Sequence, residues 1–266
     1  MIEYRDVHKA FDMPVLSGVS LTVNTGEILG VLGPSGTGKS VLLKTTIGLI
    51  VPDRGDVLVD GVSVYDAGPG RLMEVRRKAG YVFQYAALFD SMNVYENVSL
   101  GIPEETLKRM PRREVLARVS SALEDVNLDP YIVLSKMPSE LSGGMKKRVG
   151  LARAIVGEPA ILLYDEPVTG LDPVNTAAID KLITDITARR HVTSIVVTHD
   201  VEGALAICDR VALLEGGKLR FVGTPEEFRT SDVAIVRAFA DRRAAAEAAM
   251  EIEEETERRR QAGLHA

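Results

Sequence analysis

The sequence predicts an α/β domain built from a parallel core sheet, a small antiparallel β layer and a helical lobe. Short, continuous apolar runs at 81–83, 161–164 and 194–197 are typical of strands buried on both faces of a parallel sheet. Between about residues 85 and 158 the pattern is helical and contains no clear strand. We therefore expect the helical lobe to occupy about 85–158, within a domain that covers residues 1–240.

The antiparallel layer is predicted from alternating apolar and polar side chains. Residues 19–23 alternate strictly, as a half-buried strand does, and residues 56–64 indicate a second strand region with Asp60-Gly61 as its hairpin turn. The apolar stretch 211–214 and the segment 218–222, joined through Gly216-Gly217, predict a late hairpin.

The segment that follows the apolar run 27–32 is rich in glycine and ends in a lysine and a serine. Its sequence, GPSGTGKS, fits the phosphate-binding pattern G-x-x-x-x-G-K-[ST], and the stretch 41–50 after it predicts a helix. Glycines let backbone N–H groups approach phosphates, Lys39 can reach the outer phosphates and Ser40 can ligate Mg²⁺. A chance glycine-rich turn is the alternative, and the flanking strand and helix disfavour it. The predicted nucleotide contacts in this segment are Gly33, Pro34, Ser35, Gly36, Thr37, Gly38, Lys39, Ser40 and Val41.

Two acidic residues, Asp165 and Glu166, directly follow one of the buried apolar runs. A carboxylate at such a strand end can hold Mg²⁺ through water, and a second one can polarise an attacking water. His199 follows the run 194–197 in a similar way. Taken alone, a histidine at a strand end is more often structural.

A second glycine-containing turn, Ser142-Gly143-Gly144, precedes a helical stretch at 145–155. A serine N-cap followed by glycines leaves a positive helix end that can accept an anion, although an ordinary capped helix is the simpler interpretation. Further along, Asp172 and Pro173 have the N-cap and first-turn pattern of another helix.

Composition limits the class of protein. A chain of 266 residues with a net charge of -6 is not expected to be a general nucleic-acid binder, and no nucleic-acid partner is predicted.

The single cysteine, Cys208, allows no internal disulfide and is predicted to be a small buried side chain. No run approaches the roughly 18 apolar residues that a bilayer span needs, and no signal sequence is visible. We expect a cytoplasmic protein that reaches a membrane only through a partner.

The order of these motifs resembles that of the ATP-binding cassette (ABC) ATPases. The phosphate loop, the Leu-Ser-Gly-Gly element at 141–144 and the apolar strand that ends in Asp-Glu follow one another as in that family. The resemblance covers about residues 1–228. It implies ATP and Mg²⁺ as cofactors and ATP hydrolysis as the activity, with Asp165 as the metal partner and Glu166 as the general base.

The same resemblance implies roles for four more sites. His199 matches the family's histidine that orients the γ-phosphate and the attacking water. Gln84 matches the glutamine that contacts Mg²⁺ and begins the loop that senses the membrane partner. Phe11 lies where the family stacks an aromatic ring on adenine, although a core or loop phenylalanine also fits its position. Asp172, in Gly170-Leu171-Asp172, matches the family's D-loop.

A homodimer is implied as well. In the family, two cassettes face head to tail, and the turn equivalent to Ser142-Gly143-Gly144 in each caps the ATP of the other. Since this chain carries each motif once, two copies are needed for two sites. Met145 replaces the glutamine that many members carry and lacks the hydrogen-bond donors of an amide, but we expect hydrolysis to survive.

A narrower resemblance, to the ATPases of Mla/MCE-type lipid transporters, is carried by 141–149 together with Phe83-Gln84 and 87–94. It implies that the chain energises the movement of phospholipid or another lipid between envelope membranes, from the cytoplasmic face of the inner membrane. An integral membrane permease would hold it there, and an MCE-domain lipid-binding protein and a small accessory subunit are further partners that the resemblance suggests.

Two other functions remain open. One is the ATPase of a different ABC importer or exporter, against which only the Met145 pattern argues. The other is a soluble ABC assembly ATPase, such as those that serve iron–sulfur clusters. A DNA-repair ABC protein is less favoured because the cassette lacks long coiled-coil or zinc insertions, and a GTPase because the sequence lacks an Asn-Lys-x-Asp or Thr-Lys-x-Asp motif.

The sequence changes character after about residue 240. Residues 242–260 consist almost entirely of Ala, Glu and Arg, which predicts a charged helical C-terminal extension over 241–266. A solvated helix is the simplest interpretation. The alternative is an arm, starting at about Val233, that packs on a second copy or on an accessory subunit.

Overall fold

The structure, a computed structural model, describes residues 1–66 and 68–239. Its strands are β1 (Ile2–Ala10), β2 (Pro14–Val23), β3 (Ile28–Leu32), β4 (Arg54–Val59), β5 (Val62–Ser63), β6 (Ala79–Val82), β7 (Ile161–Asp165), β8 (Thr193–Thr198), β9 (Arg210–Glu215) and β10 (Lys218–Gly223). Its helices are α1 (Lys39–Thr45), α2 (Gly68–Lys78), α3 (Val94–Ser99), α4 (Glu104–Arg109), α5 (Arg112–Asp125), α6 (Pro130–Val133), α7 (Gly143–Ile155), α8 (Pro173–Arg190), α9 (Val201–Ile207) and α10 (Pro225–Arg229).

The larger sheet has six strands in the order β10-β9-β3-β8-β7-β6. All neighbouring pairs are parallel except β9 and β10, which form the predicted late hairpin. Because parallel strands end at the same edge, the residues that follow β3, β6, β7 and β8 are brought together there. The predicted parallel core sheet is therefore confirmed, and this edge positions the candidate site.

The central strands alternate between two hydrophobic cores, one on each face of the larger sheet. In β7, Leu162 and Tyr164 belong to the core shared with the helical elements, whereas Ile161 and Leu163 belong to the core shared with the smaller sheet and α1. Burial on both faces explains why the sequence shows a continuous apolar run there. Cys208 is buried in the first of these cores, as predicted.

The smaller sheet is antiparallel, with strand order β2-β1-β4-β5, and confirms the predicted antiparallel layer. Its turn at Asp60 and Gly61 has positive φ at both residues, as a two-residue hairpin requires. The sequence did not reveal β1, although this strand lies in the middle of the sheet. A register irregularity between Tyr4 and Val7, with Asp6 at a φ of 47°, breaks the two-residue alternation there.

The helical lobe is also confirmed, because residues 83–160 form α3 to α7 and one 3-10 turn, with no strand. In α5 the inward residue of the first turn is Val115, whereas Leu116 is 43% exposed. The limits of the lobe and of the 1–240 domain stay predictions. The predicted extension at 241–266 lies outside the described residues. Among the helices that the structure describes, none has the length and apolar character needed to span a bilayer.

Candidate nucleotide-binding site

The phosphate loop joins the end of β3 to the start of α1. Gly33 has a φ of 154°, and a Cβ there would lie 2.2 Å from the carbonyl oxygen of Leu214. Gly38 precedes α1 in the left-handed region, and a Cβ there would lie 2.8 Å from Val15 Cγ1. Only glycine fits these two positions. The helix was expected to continue to residue 50, but α1 ends at Thr45.

Lys39 is buried at the start of α1, with 5% of its surface exposed. Its Nζ donates to the carbonyl oxygens of Gly33 at 2.8 Å and Pro34 at 3.0 Å. It also lies 3.6 Å from Glu166 Oε1. The predicted Lys39 and Glu166 side chains therefore lie close together beside the phosphate loop. This places a buried positive charge where the loop can bind an anion.

Asp165, the last residue of β7, is bonded on both carboxylate oxygens. Ser40 Oγ donates to Oδ1 at 2.5 Å, and the Tyr81 hydroxyl donates to Oδ2 at 2.7 Å. A hydroxyl and a carboxylate side by side are the hard oxygen ligands that Mg²⁺ prefers, so the predicted pair Ser40 and Asp165 fits that ion.

Tyr81 was not predicted as part of the site. Burial, with the neighbouring Asp165 carboxylate, raises the pKa of its phenol above the ordinary value, so the phenol stays a hydrogen-bond donor. Sequence analysis placed Tyr81 in a buried strand only. Its contact depends on β6 pairing beside β7, where Tyr81 aligns with Leu163. No local pattern in the sequence indicates that pairing.

Glu166 adopts a φ of 50°, a conformation that costs a non-glycine residue of the order of 1 kcal/mol and that tends to occur at functional sites. Its backbone N–H donates to the Val197 carbonyl at 2.9 Å, which fixes the turn at the sheet edge. Its Oε2 lies 2.6 Å from His199 Nδ1 and accepts from Thr169 Oγ1 at 3.2 Å. Since a carboxylate accepts, Nδ1 carries the hydrogen and Nε2 is left to face a ligand. Thr169 was missed by sequence analysis.

Gln84 follows β6, next to the strand that ends in Asp165. Its carbonyl accepts a hydrogen bond from Lys147 Nζ of α7. Two residues on, the carbonyls of Ala86 and Ala87 accept from Arg153 at 2.7 Å and 2.6 Å. The sequence did not single out Lys147 or Arg153 for such contacts, because the identity of a single helix residue does not indicate which distant loop it contacts.

The Ser142-Gly143-Gly144 turn begins α7, with Ser142 Oγ accepting from the Met145 N–H at 3.3 Å. It lies against the start of α8, since a Cβ at Gly144 would be 2.7 Å from Asn175 Oδ1. Asp172 caps α8 by accepting from the Val174 and Asn175 N–H groups, both at 3.0 Å. The predicted N-cap roles of Ser142 and Asp172 are therefore confirmed. These two helix starts lie side by side and form a second group of predicted nucleotide contacts, in addition to the Lys39, Asp165 and Glu166 cluster.

Phe11 follows β1 and is 61% exposed, which excludes a core position for it. The Lys9 ammonium lies 5.5 Å from the centroid of its ring and 2.7 Å from Asp53 Oδ1. The exposed ring is free to stack on a planar ligand. That it stacks on adenine stays a prediction.

A phosphate loop, a buried lysine and two carboxylates at the edge of a parallel sheet define a nucleotide-hydrolysing α/β protein. The chain belongs to the ABC transporter family, whose model matches residues 16–169, more than half of its length. It is an ABC-type ATP hydrolase and binds nucleotide, as predicted.

Two relatives and one solved structure illustrate the likeness. The Mycobacterium tuberculosis (strain ATCC 25618 / H37Rv) "probable ribonucleotide transport ATP-binding protein mkl" is 41% identical over 243 residues, which cover 91% of this chain and 67% of that protein. The Escherichia coli K12 "intermembrane phospholipid transport system ATP-binding protein MlaF" is 39% identical over 227 residues, covering 85% and 83%. The dimeric post-hydrolysis structure of the cassette MJ0796, bound to ADP and Pi, has a TM-score of 0.76 at 29% identity and covers 85% of this chain and 99% of that one.

Proposed function

We propose that this chain is the ATPase subunit of a membrane transporter that moves phospholipid or another lipid between envelope membranes. The observation that carries the proposal is the 39% identity to MlaF across 83% of that phospholipid-transport protein. The Leu141–Met145 pattern, with methionine after the two glycines, agrees with it.

Hydrolysis would take place at the edge of the large sheet. The phosphate loop and Lys39 bind the phosphates, and Ser40, Asp165 and Gln84 would hold Mg²⁺, which neutralises charge on the phosphates. Glu166 accepts a proton from the attacking water, and His199, held by Glu166 through Nδ1, orients the water and the γ-phosphate through Nε2.

The second group of residues would act on another copy of the chain. Gly143 and Asp172 are exposed at the starts of α7 and α8, and N–H groups at the glycine-rich start of α7 can receive an anion. In a head-to-tail homodimer, the Ser142–Gly144 turn would cap the ATP held by the partner, with Asp172 fixing the start of α8 beside that turn. The dimeric form of the MJ0796 cassette supports this arrangement.

The permease would dock beside the segment that follows Gln84. Tyr85 is 77% exposed and Phe89 is 54% exposed there, so large apolar side chains face outward next to the helical lobe. Docking would place the chain at the cytoplasmic face of the inner membrane. An MCE-domain protein and a small accessory subunit complete the proposed assembly.

The C-terminal extension is proposed to hold the dimer or an accessory subunit. Its test depends on where the chain is cut. A cut after Asp232 would remove Val236, which is fully buried, and Phe239, which packs on the core. We therefore choose a cut after Phe239, which leaves this packing intact. Unchanged dimerisation and complex assembly would remove this role for residues 240–266.

The test of the lipid function is affinity purification of the tagged chain from native membranes in mild detergent, with mass spectrometry of proteins and lipids. A Lys39→Ala variant, which should assemble but not turn over, is the matched sample. We expect a permease, an MCE-domain protein and phospholipid in both samples.

A different permease without phospholipid would keep the ATPase and discard the lipid cargo. That outcome would favour a ribonucleotide or other small-molecule transporter, the function that the name of the mycobacterial relative suggests. Recovery from the soluble fraction alone would favour an assembly ATPase.

A further inference from the structure

We propose that Lys147 is a positioning residue for ATP hydrolysis, which fixes the main chain at Gln84 through a hydrogen bond from a charged donor. It does so as part of a face of α7, formed by Lys147, Gly150 and Arg153, that we term the α7 clamp. The proposal concerns hydrolysis by this chain and is independent of the cargo that is transported.

The three residues of the clamp recur at a spacing of three and so share one side of the helix. Each contacts the segment 84–87. Lys147 Nζ donates to the Gln84 carbonyl, and Arg153 donates to the carbonyls of Ala86 and Ala87. Between them, a Cβ at Gly150 would lie 3.2 Å from the Ala86 carbonyl oxygen, so this glycine lets the helix and the segment approach closely.

Packing alone does not explain why a cation is buried at position 147 of α7. Lys147 is only 9% exposed, and a neutral residue could fill the space without the cost of removing a charge from water. The hydrogen bond to the Gln84 carbonyl offsets part of that cost and ties the lysine to the start of the segment 84–87.

The position of α7 explains how the contact between Lys147 and Gln84 can affect hydrolysis. The helix begins at Ser142, so the clamp ties the Ser142–Gly144 turn to the segment that starts at Gln84. A shift of the turn is passed to the Gln84 main chain through a hydrogen bond from a charged donor.

The test compares Lys147→Met, Lys147→Gln and Lys147→Arg in the full chain, with Lys146→Met as the matched control, since Lys146 is its half-exposed neighbour on the same helix. ATP turnover, KM for ATP, thermal unfolding and hydrogen exchange of the peptide covering 83–88 are measured for each. We expect Lys147→Met to lower kcat roughly tenfold or more and to change KM less than about threefold, because a buried charged hydrogen bond outside the phosphate loop is lost.

Exchange in 83–88 should rise in Lys147→Met, and Lys147→Arg should restore most of kcat. Lys147→Gln should give a kcat and an exchange rate between those of Lys147→Met and the wild type, because a neutral donor makes a weaker hydrogen bond than a charged one. Wild-type turnover and exchange in Lys147→Met would overturn the proposal, as would an equal loss in Lys146→Met. If Lys147→Met does not fold, equal kcat values for the Gln and Arg variants would overturn the charge requirement, and a higher kcat for Arg would support it.

Discussion

The sheet edge and the starts of α7 and α8 both carry predicted nucleotide contacts, but they differ in how complete they are. At the sheet edge, Lys39, Asp165 and Glu166 are buried, with 5%, 6% and 8% of their surfaces exposed, and are joined to other side chains by short contacts. At the helix starts, Gly143 and Asp172 are exposed, and the contacts of the turn are with its own helix and α8.

The difference shows which of the two regions one chain organises by itself. Buried charges must be paired where they lie, so the sheet edge is organised within the chain itself. We propose that the exposed helix start at Gly143, where a Cβ would meet nothing within 4 Å, contacts another copy of the chain. Three substitutions test that contrast, and a fourth tests the stability of the fold.

The largest effect is expected from Glu166→Gln at the sheet edge. Removing a general base typically lowers turnover by about 10² to 10⁴, while ATP binding should remain because Lys39 and the loop are unchanged. Phosphate release and nucleotide affinity are the measurements, and the exposed Glu202→Gln is the control. Turnover within about tenfold of the wild type would show that another group removes the proton.

Gly143→Asp tests whether the turn serves another molecule. Nothing lies within 4 Å of a Cβ at this glycine, and an acid in the first turn of a helix is favourable, so the fold should keep its stability. A like charge beside a phosphate costs several kcal/mol, so turnover should fall by about 10² or more.

The control is Gly70→Asp, an equally open glycine in the first turn of α2, which should keep full turnover. Mixing Gly143→Asp with Lys39→Ala chains should regain activity, because a mixed dimer contains one intact composite site. No turnover from confirmed mixed dimers would argue against sites shared between chains.

Tyr81→Phe removes one of the two hydrogen bonds to Asp165. A buried hydrogen bond is worth about 1 kcal/mol, so the Mg²⁺ concentration for half-maximal turnover should rise by about fivefold. Magnesium titration of turnover is the measurement, with the fully exposed Tyr131→Phe as the control. An unchanged magnesium requirement would show that Ser40 alone orients the carboxylate.

Asp180→Asn should have the smallest effect, on stability alone. Burial, and then the nearby Asp200 carboxylate, raise the pKa of the Asp180 carboxyl to about 6. At pH values between the ordinary pKa of an aspartate carboxyl and about 6, the folded chain binds more protons than the unfolded chain. The contribution of Asp180 to the free energy of unfolding therefore rises as the pH falls. At pH 8 its charge destabilises the fold, and asparagine should recover about 1 kcal/mol after allowance for solvent screening of a half-buried group.

Urea unfolding at pH 8 and pH 4 measures this effect. The gain from Asp180→Asn should be present at pH 8 and absent at pH 4, and Asp185→Asn, which removes a partner of Lys181, should show no gain at either pH. A gain of the same size at both values would mean that the charge of Asp180 is not its cause.

The sequence by itself determined the features that depend on residues close along the chain. The phosphate loop with its glycines, the buried strand before Asp165, the hairpin turn at Asp60-Gly61 and the caps at Ser142 and Asp172 were all predicted. Local sterics, hydrogen bonds within a turn and alternating burial leave patterns a few residues long, and such patterns can be recognised without a structure.

Only the tertiary structure decided which distant groups meet. The Tyr81 hydroxyl reaches Asp165 because β6 pairs beside β7, and Lys147 reaches Gln84 because α7 packs on the segment after β6. The central strand β1 was hidden because its irregularity near Asp6 destroys the alternation that marks a strand. Contacts across many tens of residues depend on strand order and helix packing, and these are set by the burial of whole faces rather than by any local motif.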